Sequence, residues 1–467
     1  MESKGIVMIL ILIDLSDHFY GYSTNIPWEF QGAPSRSLSI LYLVYGPLFW
    51  LNKFIGFNSL ALLYIARLQL ILSYICIAEW SSRFLTSSKQ EGTKSIFFIF
   101  SSYITWVYQS HTFSNSLETQ LLLISLSIIQ ILRLQSKLKN PSKSNVTVSL
   151  LAIITSIGIF NRITFIFFLI GPSIFLLKHF WKFKSSAISF LVFFTITSFT
   201  LIYYDTKISE STEWVITPWN NFIYNKDPEN LAQHGLHPYY THLLINLPQL
   251  IGPLIIPLFF KNRFMKSTPF LSIVSGLSLL SIIPHQELRF LIPLVPLVCM
   301  CIDFKTMMRP SRVELAMKIW VVFNLVFGLI MGSLHQRGVL VTLDHLRETE
   351  FHGVQIWWKT YKPPSYILQN PNLTISEIEN IHNTTEDHLI DLMGEDVSKL
   401  THVLAQFNET LLITSSSSIG YIERLNKTFN IQKIWDYKYH LDLDHFDFND
   451  KRTFNLGIEV YNITQLI

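Results

Sequence analysis

AISFLVFFTITSFTLIYY, Ala187 to Tyr204, contains no charged residue and is bracketed by Lys178, Lys182 and Lys184 before it and Asp205 after it. At about 1.5 Å per residue such a run covers most of a hydrocarbon core of roughly 30 Å. Working outward, similar runs recur at short intervals. Before it lie Leu60 to Tyr74 with its extension to Ala78, Ile96 to Val107, Leu117 to Leu132, Val146 to Phe160 and Phe165 to Leu177. After it come Leu243 to Phe260, Phe270 to Ile283, Phe290 to Ile302 and Leu315 to Leu334. With the short run Gly5 to Ile13 these make eleven crossings of a multi-pass, all-α membrane region. Ser37 to Leu51 is also apolar, but it holds Gly46-Pro47 and follows a polar segment, so it reads as interfacial or re-entrant.

Composition supports two regimes. Only 15% of the 467 residues are charged, against about 25% in soluble chains, yet the apolar runs end near His335. Residues 1–335 therefore read as a polytopic membrane domain, and 336–467, where acids, amides and hydroxyls are interspersed, as a water-soluble domain of α/β type. A net charge of +3, dispersed in small clusters, excludes a nucleic-acid footprint. Cys76, Cys299 and Cys301 all sit in apolar runs, so no disulfide framework or cysteine metal site is expected.

The clusters themselves orient the chain. Arg83, Lys89 and Lys94 fall in one loop, Arg133, Lys137, Lys139 and Lys143 two loops later, and Lys261, Arg263 and Lys266 further on. Every second loop is basic, which places those loops and the N-terminus in the cytosol. The 336–467 domain then faces the lumen, where the acceptors Asn372, Asn383, Asn408, Asn426 and Asn462 lie in Asn-x-Ser/Thr sequons. Asn145, in a basic loop, should be bare.

Unusual polar residues gather at the lumenal ends of the runs: Asp14, Asp17 and His18; Pro27-Trp28-Glu29-Phe30; Thr112-Phe113-Ser114-Asn115-Ser116-Leu117-Glu118-Thr119; Asn161-Arg162; His234 to Tyr239; and His285-Gln286-Glu287-Leu288-Arg289-Phe290. Ionisable groups at such depth are usually functional and paired. The last block resembles the His-Lys/Gln-Glu-x-Arg-Phe signature of the GT-C mannosyltransferases that use dolichyl-phosphate mannose. The wider set, with Tyr45-Gly46-Pro47-Leu48, Ile216-Thr217-Pro218, Ile356-Trp357-Trp358-Lys359-Thr360-Tyr361 and Leu441-Asp442-Leu443-Asp444-His445, resembles more closely the fungal GPI mannosyltransferase 4 branch. That likeness runs through nearly the whole chain from about His18.

The resemblance implies transfer of mannose from dolichyl-phosphate mannose to the third mannose of the glycosylphosphatidylinositol (GPI) precursor in the endoplasmic reticulum membrane. The transfer is inverting and gives an α-1,2 linkage, with dolichyl-phosphate mannose as a lipid-linked substrate, no cofactor, and no residue assigned to a metal. A carboxylate must take the acceptor proton, and the phosphate leaving group must be stabilised. Where the family carries His-Pro-Asp-Glu-His-Phe, this chain has Asp14-Leu15-Ser16-Asp17-His18-Phe19, with Ser16 at the first acidic position. Asp17 is the expected base and Asp14 the second candidate, with His18, Glu29 and His237 as acceptor-contacting or loop-organising groups. Arg289, His285, Glu287 and Arg162 are the expected phosphate-binding set; for Arg162, pairing with a nearby carboxylate is an equal alternative. The half-length first run and the altered block together point to a shortened N-terminus or a misassigned start, and to an inactive product as one outcome.

Trp357, Trp358 and Tyr361 follow the last run closely and read as interfacial anchors. Asp442 and Asp444 imitate an Asp-x-Asp metal motif but read as structural. A mannosyltransferase for another acceptor, a lipid transporter and a non-catalytic relic are the rival readings. The C-terminal blocks oppose the first, and the one-sided clustering of polar residues opposes the second.

Overall fold

The computed structural model describes residues 11–22, 27–136, 141–233, 235–259, 264–302, 310–378, 387–426, 428–445 and 450–466. Gly5 to Leu10 of the first apolar run, His234, Asn383 and the side chain of Asp14 lie outside them. The chain divides into two compact units, one made of Met1–Pro27, Tyr45–Ala66 and Gly328–Ile467, the other of Trp28–Val44 and Arg67–Phe327.

Among the described residues, six helices are long and apolar enough to cross a membrane: Leu38–Ile55, Ser59–Leu85, Ser114–Gln135, Ser144–Asn161, Lys184–Ile208 and Val313–Leu334. Five match expected crossings. The sixth, Leu38–Ile55, is the segment set apart as interfacial or re-entrant, and it is an unbroken helix of 18 residues with Pro47 inside it. Its first turn is capped from far away in sequence: Asp205 Oδ1 accepts from the Ser39 amide at 2.8 Å and from the hydroxyls of Ser39 and Ser37 at 2.7 and 2.9 Å. A buried carboxylate there satisfies the helix's orphan amides and complements its dipole.

Three of the other apolar runs form interrupted helices. Lys89–Ser101 stops at Ser102, and the chain resumes at Tyr103, whose amide donates to Asn324 Oδ1 at 2.8 Å. Phe165–Ile170 and Ser173–Lys182 are separated by Gly171-Pro172. A side chain at Gly171 would lie 2.3 Å from the Leu271 carbonyl oxygen, so close helix packing demands glycine. Between His242 and Phe259 the helix falls into four pieces, with junctions beside Pro248 and around Gly252-Pro253. Thr268–Ile282 is continuous but 15 residues long. Broken helices of this kind keep their freed backbone groups satisfied by neighbours.

The C-terminal segment carries a six-stranded mixed sheet of β1 (Val354–Trp358), β2 (Thr374–Glu377), β3 (His388–Asp391), β4 (Glu409–Ser415), β5 (Phe429–Tyr437) and β6 (Ile458–Gln465), in the order β2-β3-β1-β4-β6-β5. The first three strands and β4 are parallel, while β6 runs antiparallel to both β4 and β5. One face packs Ile356, Trp358, Ile390 and Leu412 against Leu400 and Val403 of the helix Val397–Leu404 and Ile422 of Ile419–Leu425. Helix Gly338–Glu348 lies against β5 and β6.

Asp391, at the end of β3, is wholly buried; burial raises its carboxyl to about 6, partly offset by the Met393 amide that donates to Oδ1 at 3.0 Å. A carboxyl raised in the fold takes its proton back before the unfolded chain does. It therefore adds stability as pH falls from about 6 toward 4 and removes it as pH rises through 6. Asp391→Asn is expected to stabilise the full-length protein at pH 7.5 by about 2–3 kcal/mol and at pH 5 by about half as much. Melting curves of both proteins at the two pH values check this, and an equal shift at both would refute it.

Candidate functional site

The acid at position 118 sits one turn inside the helix Ser114–Gln135, with a side chain 1% exposed. It is fully engaged. Arg162 Nε pairs with Oε2 at 3.2 Å, Thr164 donates to Oε1 at 3.1 Å, and Asn115 Nδ2 donates to Oε2 at 3.4 Å. Arg162 Nη1 also donates to Ser114 Oγ at 3.2 Å, and Asn161 Nδ2 to the Ser114 carbonyl at 2.9 Å. The turn after helix Ser144–Asn161 is thus sewn to the start of Ser114–Gln135. Arg36, paired with Glu29 at 3.2 Å, reaches the Asn161 carbonyl at 3.5 Å. Of the two roles open for Arg162, partnership with a carboxylate is the one these contacts display, and Glu29 organises its loop through Arg36.

Phe290 joins this cluster to the His285–Arg289 block. Its ring lies 5.0 Å from the Arg162 guanidinium, 5.9 Å from that of Arg289, and 5.6 and 6.3 Å from the rings of His285 and His242. Guanidinium groups are attracted to the negative faces of such rings. Within the block, Glu287 accepts from Arg289 Nη2 at 2.9 Å, forms an ion pair with Arg289 Nε, and contacts His285 Nε2 at 2.8 Å. Burial opposes its ionisation, but Arg289 and His285 outweigh it and hold the Glu287 carboxyl down at about 2. Glu287 is therefore an anion at every physiological pH. It holds Arg289 and His285 in place. Arg289 Nη1 is buried and has no hydrogen-bond partner among the described residues, a donor unspent within the fold that suits an anionic ligand.

A second loop is tied to the block. The His237 amide donates to the Pro284 carbonyl at 2.8 Å, the Gln286 amide to His237 Nδ1 at 3.3 Å, and the His242 amide to Gln286 Oε1 at 2.8 Å. His285 Nδ1 contacts the Gly235 carbonyl at 3.0 Å. His237 thereby ties its loop to the block. His242, buried, with Nδ1 on Asn246 Nδ2 at 3.0 Å, is a further member. Sequence reasoning left Glu118, Arg36 and His242 out of the site set. An acid one turn inside an apolar run was the signal for Glu118.

Asp17 belongs to the other unit. It lies exposed on helix Ile11–Tyr20, beside an exposed His18, whereas Ser16 is buried. The helix ends at Gly21, whose φ of +67° and amide bond to the Asp17 carbonyl at 2.7 Å make a left-handed cap. The acid that resembles the second acidic position of the family block is therefore open to a ligand, and the residue at the first position is not.

Trp357 and Trp358 are not interfacial anchors. Both are fully buried in β1, and Trp358 Nε1 donates to the Glu395 carbonyl at 2.7 Å. Strand alternation sends the two rings to opposite faces of the sheet, and each face is covered. Tyr361 hydroxyl contacts His335 Nε2 at 2.8 Å. Asp442 accepts from the amides of Asp444 and His445 and from Gln336 Nε2, and its second oxygen contacts His445 Nδ1 at 2.8 Å. That carboxylate is consumed by its own turn. Asn372, Asn408 and Asn426 are exposed, while Asn462 stands half-buried in β6 with its amide donating to Glu409 Oε1 at 2.8 Å.

GPI mannosyltransferase 4 of Candida albicans is 40% identical over an alignment covering 96% of this chain and 92% of its own length. The Debaryomyces hansenii and Saccharomyces cerevisiae proteins of that name are 39% and 37% identical, covering 96% and 97% of this chain and 92% and 93% of theirs. Among solved structures, ArnT from Cupriavidus metallidurans bound to undecaprenyl phosphate superposes with a TM-score of 0.56 at 8% identity, over 97% of this chain and 92% of that one, which establishes a shared fold. Residues 13–369 match the model of the Alg9-like mannosyltransferases, and the chain belongs to that family.

Proposed function

We propose that this chain transfers mannose from dolichyl-phosphate mannose to the third mannose of the GPI precursor, forming the α-1,2 bond that adds the fourth mannose. The observation that carries this reading is the 40% identity, over 96% of the chain, with GPI mannosyltransferase 4 of Candida albicans. In the reaction the acceptor hydroxyl attacks the anomeric carbon, its proton goes to a carboxylate, and the bond from that carbon to the phosphate oxygen breaks with inversion. Asp17, which stands exposed on helix Ile11–Tyr20, is the carboxylate assigned to the proton. Arg289, held by Glu287 with one donor to spare, takes the charge that develops on the leaving phosphate.

The setting is the endoplasmic reticulum membrane, with the N-terminus cytosolic and the sheet-bearing C-terminal segment lumenal. Exposure of Asn372, Asn408 and Asn426 supports this orientation. Glycosidase treatment of the expressed protein is expected to shift its mobility, and substitution of these three asparagines to remove most of that shift. The function itself is tested by expressing the chain in cells lacking fourth-mannose addition, beside Asp17→Ala and Asp14→Ala. Rescue by the parent, lost with Asp17→Ala alone, is expected. Failure of a well-expressed parent would overturn the reading.

A further inference from the structure

A cavity of about 570 Å³ opens within the unit that carries Asp17, between the residues just after that acid, the turn at 52–59 and Gln369. Its size falls in the range of about 300–1,000 Å³ usual for small-ligand sites. The three contributing segments come from distant parts of the sequence.

The base of the cavity is rigid. Asn52 grips the turn from both sides, its Oδ1 accepting from the Phe57 amide at 2.9 Å and its Nδ2 donating to the Phe57 carbonyl at 3.1 Å. The same Nδ2 reaches the Tyr20 hydroxyl at 2.9 Å, which donates onward to the Phe49 carbonyl at 3.1 Å. At the other side Gln369 Nε2 donates to the Tyr22 hydroxyl at 3.2 Å. Four aromatic rings line the space, and one of them, Phe57, is 46% exposed despite a backbone locked in place. Lys53, above the Phe19 ring at 5.0 Å, is the sole charged group of the lining among the described residues.

We infer that this cavity is a subsite for a hexose of the acceptor glycan, with the sugar laid against Phe57 and its hydroxyls met by the amide and hydroxyl groups around it. Amides and tyrosine hydroxyls offer both donors and acceptors, as a polyhydroxylated neutral ligand requires, and an aromatic face supplies the apolar contact. The donor's phosphate would call for several charge-assisted donors, and a single lysine that already lies over an aromatic ring is a poor match. Two of the lining rings follow within three residues of Asp17, so a sugar bound here lies on the chain segment that carries the proposed base.

This inference rests on the proposed transferase function, and its test keeps the two apart. Phe57→Ala, Phe57→Tyr and Gln369→Ala are made in the full-length, detergent-solubilised protein. Binding of methyl α-mannoside is followed by saturation-transfer NMR, and transfer kinetics are measured with donor and acceptor varied in turn. Phe57→Ala is expected to raise the acceptor KM about tenfold, a change worth 1.4 kcal/mol, with kcat and the donor KM unchanged. It should also abolish the mannoside signal, Gln369→Ala should act in the same direction, and Phe57→Tyr should restore both readouts. A rise in the donor KM instead, or an unchanged acceptor KM with an unchanged mannoside signal, would overturn the subsite. A parent that transfers no mannose yet binds methyl α-mannoside through Phe57 would sink the transferase reading and leave the subsite standing.

Discussion

Replacing Arg289 with alanine is expected to lower the rate of mannose transfer by about 10²–10³-fold, the usual cost of removing one preorganised donor from a developing anion. Two contacts to Glu287 hold the guanidinium, and its buried Nη1 has no partner among the described residues. Lysine at this position carries the charge without the planar fork, so Arg289→Lys should recover only part of the loss. Glu287→Gln keeps a hydrogen-bond acceptor but discards the anion that orients both Arg289 and His285, and its effect should fall between the two. Because the Glu287 carboxyl is held at about 2, the carboxylate that positions Arg289 stays ionised between pH 5 and 8, and its titration should add no pH dependence to the ratio of wild-type to Arg289→Ala rates across that window. A ratio that changes tenfold with pH would contradict the assignment.

The largest loss of stability is expected from Glu118→Ala. Arg162, 5% exposed at its side chain, would be left as a buried cation without its carboxylate, a change that costs about 3–5 kcal/mol. Thr164 and Asn115 would lose their acceptor at the same time. Glu118→Ala combined with Arg162→Met removes both charges and should recover most of the thermal stability of the solubilised protein. A single variant as stable as the parent would show that the pair is not a structural tie.

The apolar runs were legible because composition alone decides whether a helix can sit in hydrocarbon. Where helices break was partly legible too, since the prolines at 248 and 253 stand in plain view. Leu38–Ile55 was underestimated because Gly46-Pro47 suggested a disrupted segment, whereas the N-terminal support for that helix comes from Asp205, 166 residues from Ser39. No local pattern could reveal that cap. Trp357 and Trp358 show the converse difficulty: proximity to the last span favoured an interfacial reading, while their place in a five-residue strand with every member buried made them core. The His285–Arg289 block stood out because several ionisable groups crowd a few residues between apolar runs. Glu118 stood among the unusual polar residues but carried no assigned role, because no local pattern shows that the fold brings Arg162 to it.

The measurement that tests the central claim most directly is transfer of labelled mannose, in membranes from cells lacking fourth-mannose addition and expressing this chain, from dolichyl-phosphate mannose to a GPI precursor carrying three mannoses. The account predicts a four-mannose product whose label is released by an α-1,2-specific mannosidase, and its loss with Asp17→Ala. Absence of product from abundant, glycosylated protein, or label placed on a shorter glycan, would contradict it.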